Sequence, residues 1–293
     1  MTVGCALTED RNAILKLWQL CFGDDEDYIN AFLDYRFKPE NTLIARENGE
    51  ICSMLFLLDG GKIRISGEEF SSAYLYAACT HPDKRSRGIM GKLLKAAQTK
   101  CRDGGLDYIC LVPAEDSLFG YYAKYGYESA FEEKRFSLSR RQLELIADRN
   151  AEVGELTAQD MLSVRTASLS SSDCFIWDAA ATDYALRENL NAECKSTAAF
   201  AGGRCTAYAL FDENEDTLVI RECASRRGGV PALAGALIKS SKAQNFLFRL
   251  PLDFPLSADN FTARYNAMLL PLNDAAGTAL RDIKNAYMGL TLG

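Results

Sequence analysis

Apolar positions along the first 140 residues alternate between a helical period and an extended one. Thr8 is a predicted N-cap, with Glu9 and Asp10 in the first turn, where negative charge is favoured. Ile14, Leu17, Trp18 and Cys21 then recur at helical spacing, and a second helix is predicted over Asp27–Tyr35, ending at Pro39. Thr42–Arg46 and Ile51–Leu58 read as strands joined by an Asn48-Gly49 hairpin turn. Gly60-Gly61 and Ser66-Gly67 bound another short strand, and Ala73–Thr80 is a continuous apolar run suited to a strand buried on both faces. After Pro82 and a charged loop, Gly88 opens a helix to about Arg102, which Gly104-Gly105 ends. Leu106–Val112 is the next buried strand. Ser117 caps a short helix with the stripe Leu118, Tyr121, Tyr122 and Tyr125, Gly126 ends it, and Phe131–Leu138 is a further strand.

Gln142–Asn150 is polar and reads as a helix or linker, and a second unit starts near Glu155. Helices are predicted there near Ala158–Ala167, Thr182–Asn191 and Val230–Lys239. Strands are predicted at Ser196–Ala201, Cys205–Phe211, Thr217–Cys223 and Asn245–Leu250. Pro251, Pro255 and Pro271 punctuate the remainder. The two halves repeat an order of helices, hairpin, strand entering a helix, and strand, which suggests a degenerate internal repeat.

A chain of 293 residues is about right for two domains, and 48% hydrophobic with 25% charged residues places it in the globular class. No apolar run approaches the roughly 20 residues of a membrane helix, and the first ten positions show no secretory signal. None of the ten cysteines forms a C-x-x-C pair, and the single histidine, His81, does not complete a zinc ligand set. Reduced thiols in a cytoplasmic protein without a metal is the expectation. The net charge of −7 argues against nucleic-acid binding and is compatible with a cationic partner.

The segment with chemistry in it is Ala73–Ala97, AYLYAACTHPDKRSRGIMGKLLKAA. A strand enters a short basic loop with a glycine, and the loop opens a helix. A helix N-terminus offers free N–H groups and partial positive charge to an anion. Arg85 and Arg87 add donors suited to phosphate, and Gly88 lets a ligand approach the backbone. Neither a Walker A loop nor the dinucleotide G-x-G-x-x-G pattern is present.

The loop resembles the [QR]-x-x-G-x-[GA] acetyl-CoA motif of the GNAT N-acetyltransferase superfamily, through Arg85, Ser86, Arg87, Gly88 and Ile89. Met90 stands where Gly or Ala is usual, and Gly91 follows; a similar R-x-R-G form occurs in Eis-like (enhanced intracellular survival) acetyltransferases. Tyr121-Tyr122-Ala123-Lys124-Tyr125-Gly126-Tyr127 resembles a second family pattern, [FY]-Y-x-K-x-G-[FY]. The resemblance covers about Thr2–Leu138 and implies an α/β fold of two tandem GNAT-like domains, each a mixed β-sheet flanked by helices. The arrangement is similar to the Eis-like enzymes without their C-terminal sterol-carrier-like domain. Residues 1–140 would bind acetyl-CoA, and a degenerate domain at 151–293 would shape the acceptor pocket.

The resemblance implies that Ala78, Cys79 and Thr80 pair with the pantetheine arm, and that Arg85–Gly91, including Met90, hold the pyrophosphate. It implies Tyr122 as general acid, with Tyr121 the neighbouring alternative. A small amine, polyamine, aminoglycoside, amino acid or peptide N-terminus would be the acceptor. His81, Glu115, Asp116 and the Gly293 carboxylate stand as candidate general bases beside bland readings as loop residues. Arg226-Arg227-Gly228-Gly229 occupies the equivalent loop of the second half but lacks the motif spacing, and Pro231 removes a donor N–H, so it reads as a worn-out cofactor site. Three other readings stay open: a tandem-GNAT transferase of another acyl group, a non-catalytic acyl-CoA sensor, and an interaction protein with a decayed site.

Overall fold

The computed structural model describes residues 1–191 and 194–289. From the N-terminus, β1 (Thr2–Cys5) leads to α1 (Arg11–Phe22), α2 (Glu26–Arg36), β2 (Thr42–Glu47), β3 (Glu50–Ile65) and β4 (Glu68–Thr80). α3 (Ile89–Asp103), β5 (Tyr108–Leu111), α4 (Ser117–Ala123) and β6 (Glu128–Ser139) follow. Next come α5 (Arg140–Ile146), β7 (Glu152–Gly154), α6 (Ala158–Ser168), β8 (Cys174–Ile176), α7 (Ala179–Asn191) and β9 (Lys195–Ala201). The chain continues through β10 (Arg204–Asn214), β11 (Thr217–Ser225), α8 (Val230–Ser240), β12 (Asn245–Leu250), β13 (Thr262–Pro271) and α9 (Asp274–Asp282). No helix among the described residues is long and apolar enough to cross a membrane.

Two compact units form. One comprises Met1–Lys62, Phe70–Ala130 and Ala267–Asp282; the other comprises Ile63–Glu69, Phe131–Asn266 and Ile283–Gly293. The units therefore interleave along the chain, where the sequence reading cut it once between 140 and 151. The cause is β13, whose Met268–Pro271 end returns to pair antiparallel with Tyr108–Leu111 of β5.

In the first unit the strand order is β1-β2-β3-β4-β5-β13. The Asn48-Gly49 turn forms as read, with φ of +55° and +88°, and sets Glu47 opposite Glu50. β3 runs on through Gly60, where the sequence suggested a break. A Cβ there would meet the Ser72 and Ala73 backbone at 2.8 Å, so only glycine lets the two strands stay this close. The α3 face of the sheet packs Leu93, Leu94 and Ala97 on Leu75, Ile109 and Met268. Burying each such leucine contributes about 1.5–3 kcal/mol. The other face packs Trp18 and Phe32 on Phe56 and Tyr76. Helix α3 closes at Gly105, φ +71°, with the Leu106 N–H donating to the Cys101 carbonyl at 3.0 Å, a Schellman ending.

One start differs from the sequence reading. Thr8–Asp10 makes a 3-10 turn and Thr8 does not cap α1. The Asp10 carboxylate instead accepts the Leu7 N–H at 2.7 Å and pairs with Arg46 across to β2. The tertiary ion pair takes the carboxylate that a local cap would have used.

In the second unit the order is β6-β12-β11-β10-β9-β7. Helix α8 packs Leu233 and Leu237 against Phe246 and Phe248, and α6 places Met161 and Val164 against Tyr208 and Leu210 on the opposite face. In both units a strand, a helix and a parallel strand succeed one another: β4-α3-β5 and β11-α8-β12.

Candidate active site

The register of β4 sets up the site. β5 pairs with Ser72–Leu75 only, while β4 continues to Thr80. Ala77, at φ +46°, puts a left-handed residue inside that continuation, the backbone form of a bulge. Beyond it Ala78 joins the α3-side core, Cys79 is buried, and the Cys21 thiol of α1 meets the Thr80 carbonyl at 3.6 Å.

The strand ends at a 3-10 turn, Pro82–Lys84, and the loop then enters α3. Ser86 and Gly88 both take positive φ, +62° and +71°. Nothing lies within 4 Å of a Cβ built on Gly88, so the space over this backbone is open. The first four N–H groups of a helix have no intrahelical partner. At α3 these belong to Gly88–Gly91, since Lys92 is the first to donate back, to Gly88 O at 3.3 Å. An anion over this turn is favoured by typically ~0.3–1 kcal/mol.

A groove of about 530 Å³ runs past these residues. Its walls are Ala78–Thr80, Lys84–Ser86 and Gly88–Met90 on one side, Leu118, Tyr121, Tyr122 and Tyr125 of α4 and its end, and Cys21 and Phe22 of α1. Of the residues singled out in the sequence, Ala78, Cys79, Thr80, Arg85, Ser86, Gly88, Ile89, Met90 and Tyr122 line it together; Arg87 and Gly91 do not. Arg87 donates to Glu47 of β2 at 2.8 Å, and Lys84 pairs with the same carboxylate at 2.5 Å. Gly91 is required for packing, because a Cβ there would overlap the Tyr125 hydroxyl. Arg85 turns back along the strand, its Nε donating to Thr80 O at 3.2 Å.

Hydrogen bonds from Lys84 and then Arg87 hold the Glu47 carboxyl down at about 2, from an ordinary 4.5. Because the folded value is the lower one, the clamp is complete above about 4.5 and is lost as pH falls through about 2. An NMR titration is expected to place the Glu47 carboxyl near 2, and replacing both Lys84 and Arg87 by Met to return it to the ordinary range. A wild-type midpoint at the ordinary value would mean the clamp does not form in solution.

Tyr122 is 8% exposed, and burial pushes its hydroxyl up to about 12. Its ring is held edge-on by Tyr121 and Tyr127, at 5.4 and 5.7 Å between centroids. Tyr121 is also raised, by burial first and then by its hydrogen bond with Tyr125. Among the described residues no carboxylate lines the groove. Among the candidate bases, His81 Nδ1 accepts the Asp83 N–H at 3.3 Å, Glu115 accepts the Ser117 hydroxyl at 2.8 Å, and Asp116 is the exposed residue preceding α4. Gly293 lies outside the described residues. Residues that the sequence reading did not single out are Cys21, Phe22, Tyr125 and Glu47. Cys21 had only its place at the end of the Ile14–Cys21 stripe to mark it.

A profile of the acetyltransferase (GNAT) domain matches residues 6–130, the stretch that carries this groove. An acetyltransferase of Pectobacterium atrosepticum is 32% identical over 128 residues, which cover 41% of this chain and 83% of that protein. The chain belongs to the GNAT acetyltransferase family. Its fold matches that of Eis1 from Mycobacterium abscessus at 13% identity, covering 93% of this chain and 74% of that one with a TM-score of 0.68. It also matches a tandem GNAT protein from the clavulanic acid biosynthesis pathway at 14% identity, covering 93% and 99%, with a TM-score of 0.52. The architecture is that of a tandem GNAT protein, with a mixed sheet flanked by helices in each unit.

The loop of the second unit differs from the first in detail. Gly228 has φ +78°, but Arg226 is spent inside the unit, on Cys205 O at 3.0 Å and Ser163 Oγ at 2.6 Å. Pro231 stands in the first turn of α8 and removes one donor. A Cβ on Gly229 would meet Thr206 O at 2.9 Å, so that glycine serves a tight turn.

Proposed function

We propose that the chain is an acetyl-CoA-dependent N-acetyltransferase with one cofactor site, in the groove of the first unit. The observation that carries this reading is the open, left-handed Gly88 at the N-terminus of α3, in one groove with the free end of β4 and Tyr122. Acetyl-CoA supplies an activated thioester carbonyl that an amine attacks. The N–H groups of Gly88–Gly91 hold the pyrophosphate, and the backbone of Ala78–Thr80 aligns the pantetheine amides. Tyr122 keeps its proton at neutral pH and gives it to the departing sulfur, with its hydroxyl as the general acid. We propose that the acceptor amine attacks the carbonyl in its deprotonated form, with His81, Glu115 or Asp116, which do not line the groove, relaying its proton through water. The acceptor we favour is a small amine, cationic before it reacts, drawn by the net charge of −7. We place the protein in the cytoplasm, where acetyl-CoA is available.

Calorimetric titration with acetyl-CoA tests this directly. One equivalent is expected to bind, and thiol release with an amine panel to follow. Gly88→Glu is expected to weaken binding by roughly tenfold or more, since it adds a like charge over the helix end and strains a left-handed residue. Unchanged affinity in the variant would put the pyrophosphate elsewhere. Two equivalents would mean that the Arg226–Gly229 loop also binds. Binding without thiol release to any amine would favour the acyl-CoA sensor.

A further inference from the structure

Two sulfurs that this chemistry does not use lie in the wall of the same groove. Cys21, on the last turn of α1, is half-buried, and its Sγ donates to Thr80 O at 3.6 Å. Cys79 of β4 is 6% exposed and directly precedes Thr80, whose carbonyl the Cys21 thiol meets. Arg85 is the third group at this point, its Nε donating to the same Thr80 carbonyl at 3.2 Å. All three residues line the groove.

The two thiols are unequal. The hydrogen bond from Cys79, against the opposing effect of burial and aided by Arg85, pulls Cys21 down to about 7. Cys79 is pushed well above its ordinary value by the same hydrogen bond and by burial. The accessible Cys21 carries the lowered thiol and the buried Cys79 the raised one, the arrangement of an attacking and a resolving cysteine. Burial raises Cys101, Cys110, Cys205 and Cys223 instead, which leaves them inert.

We propose that Cys21 and Cys79 form a thiol-exchange site in the cofactor groove, and that its substrate is a disulfide of coenzyme A. The proposal rests on the acetyl-CoA reading, because the same helix end and strand edge would seat the reagent. Cys21 thiolate attacks one sulfur of the reagent; the reagent's S–S bond breaks, a Cys21–CoA mixed disulfide forms, and one CoA thiolate leaves and takes a proton. Cys79 then loses its proton to water and attacks the Cys21 sulfur, releasing the second CoA thiol and leaving a Cys21–Cys79 disulfide. Two electrons pass from the protein to the reagent, giving two CoA thiols. The bond ties α1 to the end of β4, inside the groove, so the oxidised protein would bind acetyl-CoA less well.

The test uses the full chain carrying Cys5→Ser, which removes an exposed thiol. It is treated with equal concentrations of CoA disulfide or glutathione disulfide and followed by intact mass and peptide mapping. The Cys21–Cys79 bond is expected to form roughly tenfold or more faster with CoA disulfide, through local concentration of the reagent. Saturating acetyl-CoA is expected to protect against it. Cys79→Ser should stop at the mixed disulfide on Cys21, and Cys21→Ser should form neither product. Should Cys79→Ser not fold, the ratio of reagents and the protection in the parent chain decide alone. Equal rates with the two reagents, in protein that still binds acetyl-CoA by calorimetry, would overturn the exchange site and leave the acetyl-CoA reading standing. Absence of acetyl-CoA binding would overturn both.

Discussion

Tyr122→Phe is expected to lower the turnover of acetyl transfer by roughly 10²–10⁴-fold, with acetyl-CoA affinity nearly unchanged. The substitution keeps the ring that packs between Tyr121 and Tyr127 and removes only the hydroxyl. At about 12, Tyr122 is a weaker acid than an ordinary thiol at ~8.5, so protonating a solvated thiolate would be uphill. The burial that raises the tyrosine also disfavours a thiolate in the same groove, which narrows the mismatch. The loss should therefore appear in kcat, with KM and the calorimetric affinity kept. Tyr121→Phe is the control, because Tyr121 lines the groove one residue away. A large loss in Tyr121→Phe with none in Tyr122→Phe would transfer the role to Tyr121; no loss in either would leave departure of the thiol to water.

The groove was legible because its main parts are local. The strand Ala73–Thr80, the loop, Gly88 and the start of α3 are consecutive, so strand period, turn chemistry and helix start reinforce one another within 25 residues. Tyr122 was legible through a second local pattern. What stayed hidden depends on chain returns. Glu47 reaches Lys84 and Arg87 from about 40 residues away, and no spacing marks it out. Cys21 meets Thr80 across 59 residues. Gly91 read as part of a phosphate loop, while its packing reason is Tyr125, which arrives on a later helix end.

The same distinction explains the domain boundary. Thr262–Pro271 has only a short apolar core, Ala267–Leu270, and ends in proline, so no strand was read there. The segment becomes a strand because β5 offers an open edge for Met268–Pro271. Asn273 then donates to Asp107 at 2.9 Å, and Tyr108 donates to Ala276 O at 2.6 Å, holding the return in place. Partners of this kind exist only once the rest of the unit has formed.

Glu222→Leu is expected to cost about 3–5 kcal/mol, the largest stability loss of any single substitution considered, because it strands a buried charge. Arg165 is 4% exposed and Glu222 1%, with Nε to Oε1 at 2.9 Å. Burial works to lower the Arg165 value, but Glu222 foremost outweighs it and keeps the guanidinium charged. The remaining donors go to Phe175 O at 2.8 Å and Met288 O at 2.7 Å, and Tyr208 donates to Glu222 at 2.8 Å. Removing the carboxylate thus leaves one buried charge and one buried phenol without this acceptor. Hydrogen exchange followed by mass spectrometry should show the loss as earlier opening of β10 and β11, which carry Tyr208 and Glu222. Adding Arg165→Met is expected to recover part of the stability, since a buried ion pair often contributes little net stability against apolar side chains of similar size. Recovery should stop short of wild type. The Phe175 and Met288 carbonyls lose their donor in the double variant, at about 1–3 kcal/mol for each buried group left unsatisfied. Full recovery would mean those carbonyls find water, and that the arginine is not what holds Met288 against this core.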